Sequence, residues 1–257
     1  MRSVYGPIDS WRLKRSLGVD LISQEGRVCT FNCVYCQIKR CQAVTSKRQK
    51  FVELEDLRGE LIEALEIVGD HTDYLTFSGM GEPTLASNLR EGVEMVNEVS
   101  NKPTAILTNS SLLHKNEVRN TLDRLDYVIA SLDASDQEIL KTINRPDENI
   151  HFKDIVEGLK GFSERFQGKF ALEIMVIEEN FSQILEISRL AQEMDIDEIQ
   201  LNTPLRPSVV PPLNEKELQT TKDHFEDFET KIVYEEKRTE TPNLDDKEVI
   251  KRGRPKK

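Results

Sequence analysis

Six short runs of apolar and β-branched residues alternate with longer segments at helical period, and that alternation limits this 257-residue chain to a small set of folds. The runs are SLGVDLIS (16–23), YLTFSG (74–79), TAILTNSS (104–111), YVIASLDA (127–134), KFALEIMVIEE (169–179) and EIQLNTPL (198–205). Helices are predicted between them over 53–70, 85–100, 115–125, 152–166 and 181–194. In the first of these Leu54, Leu57, Leu61, Ile62 and Leu65 recur at three and four. Strands separated by helices imply an α/β fold with a parallel sheet, because parallel neighbours need a right-handed crossover between them.

The ends of these runs share a second feature. SGMGEP, TNSS, SLDA, IEEN and NTPLRP all place small or polar residues just beyond the apolar part of a strand. Any one of them reads equally well as a turn. Together they line the carboxyl edge of the sheet, where α/β folds bind ligands.

From about Asn214 the pattern changes. NEKELQTTKDHFEDFETKI reads as one more helix and KIVYEE as a further strand, giving a core over 1–213 and an extension over 214–237. Residues 238–257 are charged and lack a core pattern, so they are expected to form a disordered tail with a basic end. No stretch of roughly 18 apolar residues occurs, and the basic N-terminus has no apolar segment after it, so the expectation is a cytoplasmic chain without a membrane span. A net charge of −11 argues against a surface that coats nucleic acid.

RVCTFNCVYCQ (27–37) holds three of the four cysteines, Cys29, Cys33 and Cys36, spaced C-x3-C-x2-C on a loop between a strand and a helix. In a reducing compartment such clustering points to metal or redox chemistry rather than disulfides. Three thiolates can wrap one cubane iron–sulfur cluster and leave one iron open, as a catalytic centre requires. The alternatives are a zinc site completed by Cys41, a dithiol at Cys33 and Cys36, and inert buried cysteines.

C-T-F-N-C-V-Y-C, with Tyr35 before the last cysteine, followed after one helix by a strand ending S-G-M-G-E-P, resembles the radical S-adenosylmethionine (radical SAM) superfamily. YGPIDSWRLKRSLGVDL, LTNSSLL, SLDA, INRP and IQLNTPLRP extend the likeness, from about Val4 to Pro212, to the branch described as wyosine-synthase-like. The resemblance implies a partial (βα)6 TIM-like barrel with the cysteine loop after its first strand. It implies Cys29, Cys33 and Cys36 as ligands of a 4Fe-4S cluster whose open iron chelates S-adenosyl-L-methionine (SAM). A reducing electron donor such as flavodoxin or ferredoxin would drive cleavage of SAM to a 5′-deoxyadenosyl radical that abstracts hydrogen from substrate.

Further residues follow from the same resemblance. Carbonyls of Gly79 and Met80 with the Glu82 carboxylate are the implied acceptors for the SAM amino group, with Gly79 and Gly81 letting the backbone approach and Pro83 setting the turn. Met80-Gly81 stand where the family more often has two adjacent glycines. Asn109 and Ser131 or Asp133 are implied for the ribose hydroxyls and methionine carboxylate. Val176 and Asn202, with backbone of Tyr35, are implied around adenine, and Arg145 is a candidate partner for a carboxylate. Cys41 matches no ligand position. The scattered histidines, His114 and His151 among them, read as surface residues.

RNA is the leading substrate class and protein the next. Lack of auxiliary cysteines favours a glycyl-radical-activating enzyme as the alternative in the same class. Cys41 and the tail favour a zinc-containing nucleic-acid-binding module as the alternative in another. Arg252, Gly253, Arg254 and Pro255 in the strongly cationic KRGRPKK resemble an AT-hook, which sets Arg-Gly-Arg in a narrow minor groove. The plainer reading is a solvated basic end.

Overall fold

The computed structural model describes residues 1–38, 41–236 and 241–253. In chain order the elements are β1 (Val4–Ser10), β2 (Lys14–Val19), β3 (Arg27–Cys29), β4 (Cys41–Val44), α1 (Leu54–Val68), β5 (Tyr74–Phe77), α2 (Leu89–Val99), β6 (Thr104–Thr108), α3 (Asn116–Leu122), β7 (Tyr127–Ser131), α4 (Gln137–Ile143) and α5 (Phe152–Ser163). There follow β8 (Lys169–Met175), α6 (Glu178–Phe181), α7 (Ile184–Ala191), β9 (Glu198–Asn202), α8 (Glu215–Lys222), β10 (Thr230–Ile232) and α9 (Asp246–Lys251). Strands β1-β2-β5-β6-β7-β8-β9-β10 form one sheet in that order. All neighbours in it are parallel except β1, which runs antiparallel to β2.

Every predicted strand run falls on a strand of this sheet, and KIVYEE meets β10. The runs read as nearly continuous because both faces are covered. Outward residues such as Phe77, Ile106, Val128, Leu172, Ile174 and Leu201 share one core with the helices. In α1 the residues on that face are Leu57, Leu61, Ala64 and Val68. Burying each leucine contributes roughly 1.5–3 kcal/mol. Ile62, which the spacing placed in the same stripe, is 42% exposed.

The inner face shows that the sheet curls. Leu13, on the turn between β1 and β2, packs against Ala105, Tyr127, Ile129 and Ala171 on β6, β7 and β8. Those strands are reached from β2 only through the interior of a partial barrel. Deeper on this face the Glu198 carboxylate accepts from Lys169 Nζ and Lys231 Nζ, each at 2.6 Å, from Gln200 Nε2 at 2.6 Å and from Tyr127 Oη at 3.1 Å. Burial works against ionisation of Glu198, and the two lysines overcome it, holding the carboxyl below its ordinary value.

Two segments depart from the sequence expectation. Strand β1 carries Gly6-Pro7, which breaks the alternating pattern; a proline is tolerated there because β1 is the sheet edge and bulges between Tyr5 and Ile8. Residues 241–253, where composition pointed to a tail, follow β1 instead: Leu244 N–H donates to Gly6 O at 2.6 Å, and Val249 of α9 packs with Tyr5 and Ile8. The cations at 254–257, including Arg254 and Pro255 of the AT-hook-like stretch, lie outside the described residues. No helix among the described residues is long and apolar enough to cross a membrane.

Candidate active site

The cysteine loop leaves the sheet after β2 and is tied down at several points. Arg27, buried on β3, reaches forward so that Nη1 donates to Phe31 O at 2.8 Å and Nη2 to Asn32 Oδ1 at 2.6 Å. Backbone N–H groups of Asn32 and Val34 donate to Asn144 O and Ile143 O at the end of α4, each at 2.9 Å. Cys36 N–H closes a turn onto Cys33 O at 3.1 Å. Held this way, Cys29, Cys33 and Cys36 line one cavity of about 200 Å³, together with Gly81, Glu82 and Asn109. All are free thiols. Burial, then the charge of Glu82, pushes the Cys29 thiol up to about 12, and burial pushes Cys33 up as well.

Opposite the loop, the turn after β5 is bonded directly to β3. Val28 N–H donates to Met80 O at 3.0 Å, and Glu82 N–H donates to Val28 O at 3.3 Å. At Gly81, with φ of +150°, a Cβ would overlap the Val28 carbonyl, so only glycine permits this approach. Glu82 is 2% exposed. Its Oε1 accepts from Thr108 Oγ1 at 2.6 Å and from Thr84 Oγ1 and N at 2.7 and 3.1 Å, while Oε2 accepts from Asn109 N at 2.7 Å. Burial raises its carboxyl against these bonds. With Asn109 N as its one donor among the described residues, Oε2 retains capacity for another.

The remaining expected residues separate into two groups. Asn109 and Ser131 line the cavity, and Asn109 Nδ2 lies 3.5 Å from Cys29 Sγ and 2.8 Å from Thr30 Oγ1. Tyr35 lines it too, although its hydroxyl turns away to the Asp133 carboxylate. Asp133 is a clamp behind the wall: besides Tyr35 it accepts from Asn144 Nδ2 at 2.9 Å and from Met175 N at 2.8 Å. Val176 is fully buried in the core shared with the helices, and Arg145 is exposed, in a left-handed conformation at φ +47°. Cys41 is exposed on β4 and outside the cavity lining. Among the described residues no three side chains converge tightly enough to hold a single ion.

Asn202 belongs to a second cavity, of about 180 Å³, which shares Leu107 with the first as a wall. Its Nδ2 donates to Glu173 Oε1 at 2.8 Å, and Glu173 also pairs with Arg12. Arg12 lies 4.5 Å over the Trp11 ring, and its Nε is buried with no partner among the described residues. Sequence reasoning missed Arg12, Trp11 and Asn144. Asn144 Nδ2, 3.4 Å from Cys33 Sγ, stands within the INRP stretch, where attention went to the arginine beside it.

Comparisons with known proteins bear on the family and the fold. A family model described as the radical SAM superfamily matches residues 26–224. A UPF0026 protein of Synechocystis is 37% identical over 209 residues, covering 80% of this chain and 76% of that protein. A protein of Brachyspira hyodysenteriae named GTPase Obg is 33% identical over 231 residues; the match takes in 88% of this chain but only 34% of that longer protein. Among solved structures, TYW1 with a lysine-pyruvate adduct bound superposes with a TM-score of 0.61 at 18% identity, covering 84% of this chain and 74% of that one. That last likeness is one of fold.

Proposed function

The chain belongs to the radical SAM superfamily of enzymes, and on that premise we propose that Cys29, Cys33 and Cys36 hold a 4Fe-4S cluster beside a SAM site built on Gly79–Glu82. The observation that carries this reading is the pairing of β3 with the turn after β5, which sets three free thiols and a buried carboxylate around one cavity. The donor set fits the group: three thiolates are the ligands such a cluster takes, and a cubane spreads them over separate irons. Cys41, exposed on β4 and outside the cavity lining, is not placed with the other three, which favours a three-thiolate cluster over a four-ligand zinc site. When bound and reduced, the cluster supplies the electron that cleaves SAM to methionine and a 5′-deoxyadenosyl radical for hydrogen abstraction from substrate.

The chain's own residues would bind and orient. Glu82 Oε2 and the carbonyls of Gly79 and Met80 accept from the SAM amino group, and Asn109 and Ser131 offer hydrogen bonds to its carboxylate or ribose. Tyr35 contributes backbone at the adenine side, its ring fixed by Asp133. Arg12, Glu173 and Asn202 lie beyond Leu107, where the second cavity would receive the reacting part of a substrate. A reducing cytoplasm keeps the cysteines available.

RNA is the proposed substrate class, from the wyosine-synthase-like motifs, with a small protein such as flavodoxin or ferredoxin as electron donor. Anaerobic assays of 5′-deoxyadenosine formation test this with cellular RNA and protein fractions added separately. Stimulation by RNA supports the reading, and stimulation by protein alone supports a glycyl-radical-activating enzyme instead. No 5′-deoxyadenosine from reconstituted, reduced enzyme rejects both.

A further inference from the structure

The segment over residues 241–253 packs beside the candidate SAM turn, and one side chain makes the connection. Arg252, just after α9, is 4% exposed. Its guanidinium lies 4.1 Å over the Tyr5 ring, and Nε donates to Asp20 Oδ2 at 2.9 Å. Nη1 donates to both the carbonyl and the carboxylate of Glu248 at 3.1 Å; Nη2 donates to Arg2 O at 2.7 Å and Ser23 Oγ at 3.2 Å. All five donors of the fork are thereby used inside the protein, which is not how a solvated or groove-seeking arginine behaves.

Asp20 carries the connection onward. It follows β2, is 1% exposed, and accepts Met80 N–H on the same Oδ2 at 3.1 Å and Ile22 N–H on Oδ1 at 3.0 Å. A Cβ on Gly79 would overlap the Asp20 carboxylate, so the backbone of Gly79 and Met80 is laid directly on it. Tyr5, under the guanidinium, shares a 2.9 Å hydrogen bond with Ser78 Oγ at the start of the same turn. Gly253 passes against the Gln37 carbonyl, one residue beyond Cys36, and accepts from Arg206 Nη1 at 3.4 Å. Without Arg252 the buried Asp20 would lose the charge opposite it and the donor that fixes Oδ2, so the oxygen that receives the Met80 N–H would no longer be held in place.

Resting on the reading that Gly79–Glu82 binds SAM, we propose that Arg252 is a positioning residue: acting through Asp20 it fixes the Gly79–Met80 backbone, so that SAM affinity depends on docking of the C-terminal segment.

The test uses the full chain, reconstituted anaerobically, with SAM as the titrant, in wild type, Arg252→Met, Arg252→Lys, Asp20→Asn and the Asp20→Asn/Arg252→Met double variant. Arg252→Met is expected to keep its iron and lose about tenfold in SAM affinity, with Arg252→Lys recovering part of the loss. In the Asp20→Asn background Arg252→Met is expected to add less than about twofold, because the two act in series. Hydrogen exchange at amides 79–82 of the metal-free chain is expected to speed up in Arg252→Met. Unchanged SAM affinity with unchanged exchange overturns the proposal, as do additive effects in the double variant. Should Arg252→Met not fold, Arg252→Lys carries the test, and protection at 79–82 equal to wild type overturns it. Wild-type enzyme that binds no SAM rejects the functional reading and the affinity claim with it, while the exchange arm still reports whether Arg252 holds the turn.

Discussion

Burial lifts the Asp133 carboxyl to about 6 from an ordinary 3.8, against hydrogen bonds from Tyr35, Met175 N–H and Asn144 that favour the charged form. The folded chain thus holds this proton more tightly than the unfolded one. The contribution is fully present below about pH 4 and is lost as pH rises through about 6, an effect of up to about 3 kcal/mol. Asp133→Asn should flatten that part of the pH dependence of the thermal midpoint between pH 4 and 7, relative to wild type, while losing stability at neutral pH through its donor conflict with Asn144. A second substitution tests the close approach at the turn: in Gly81→Ala the added methyl meets the Val28 carbonyl. We expect that variant to lose SAM binding and at least about 2 kcal/mol of stability in denaturant unfolding. The cysteines and Glu82 were legible because their signal is local, eight positions in one case and a strand end in the other. Val176 was not: β8 alternates, so Ala171 faces inward while Leu172, Ile174 and Val176 join the helix side. Asn144 escaped notice because its partners Cys33 and Tyr35 are 111 and 109 residues away.

At the scale of elements, the β1–β2 hairpin does what a barrel of this kind needs at its floor. Its turn inserts Leu13, 1% exposed, among Ala105, Tyr127, Ile129 and Ala171, and brings Arg12 to Glu173. Leu13→Ala should cost about 2–4 kcal/mol in urea unfolding, since rigid strands on three sides limit collapse around the space left. The sequence concealed this hairpin. Proline in VYGPIDS argues against a strand in the middle of a sheet, and only the edge position of β1 reconciles the two. Short α4 was concealed for a different reason: seven residues make too few turns to display a helical period, yet its end anchors the cysteine loop through Ile143 and Asn144.

For the whole molecule, βα alternation was enough to anticipate a parallel sheet, because parallel neighbours need a crossover; the partial barrel, with β2-β5-β6-β7-β8-β9 neighbouring in chain order, was implied only by the family resemblance. Closure at β1 by residues 241–253 was not readable from composition: their charge suggests solvent, and only the tertiary placement of Asp20 and Glu248 shows why Arg252 is buried. The central claim is that three cysteines form an incomplete ligand set, with Cys41 no part of it. Anaerobic reconstitution with iron and sulfide quantitation, followed by electron paramagnetic resonance of the reduced chain with and without SAM, tests it most directly. About four irons and four sulfides per chain, a signal altered by SAM, retention of both in Cys41→Ser and loss of iron in each of Cys29→Ala, Cys33→Ala and Cys36→Ala are predicted. A colourless chain that binds zinc, or a Cys41→Ser variant that loses metal as completely as Cys33→Ala, would contradict it.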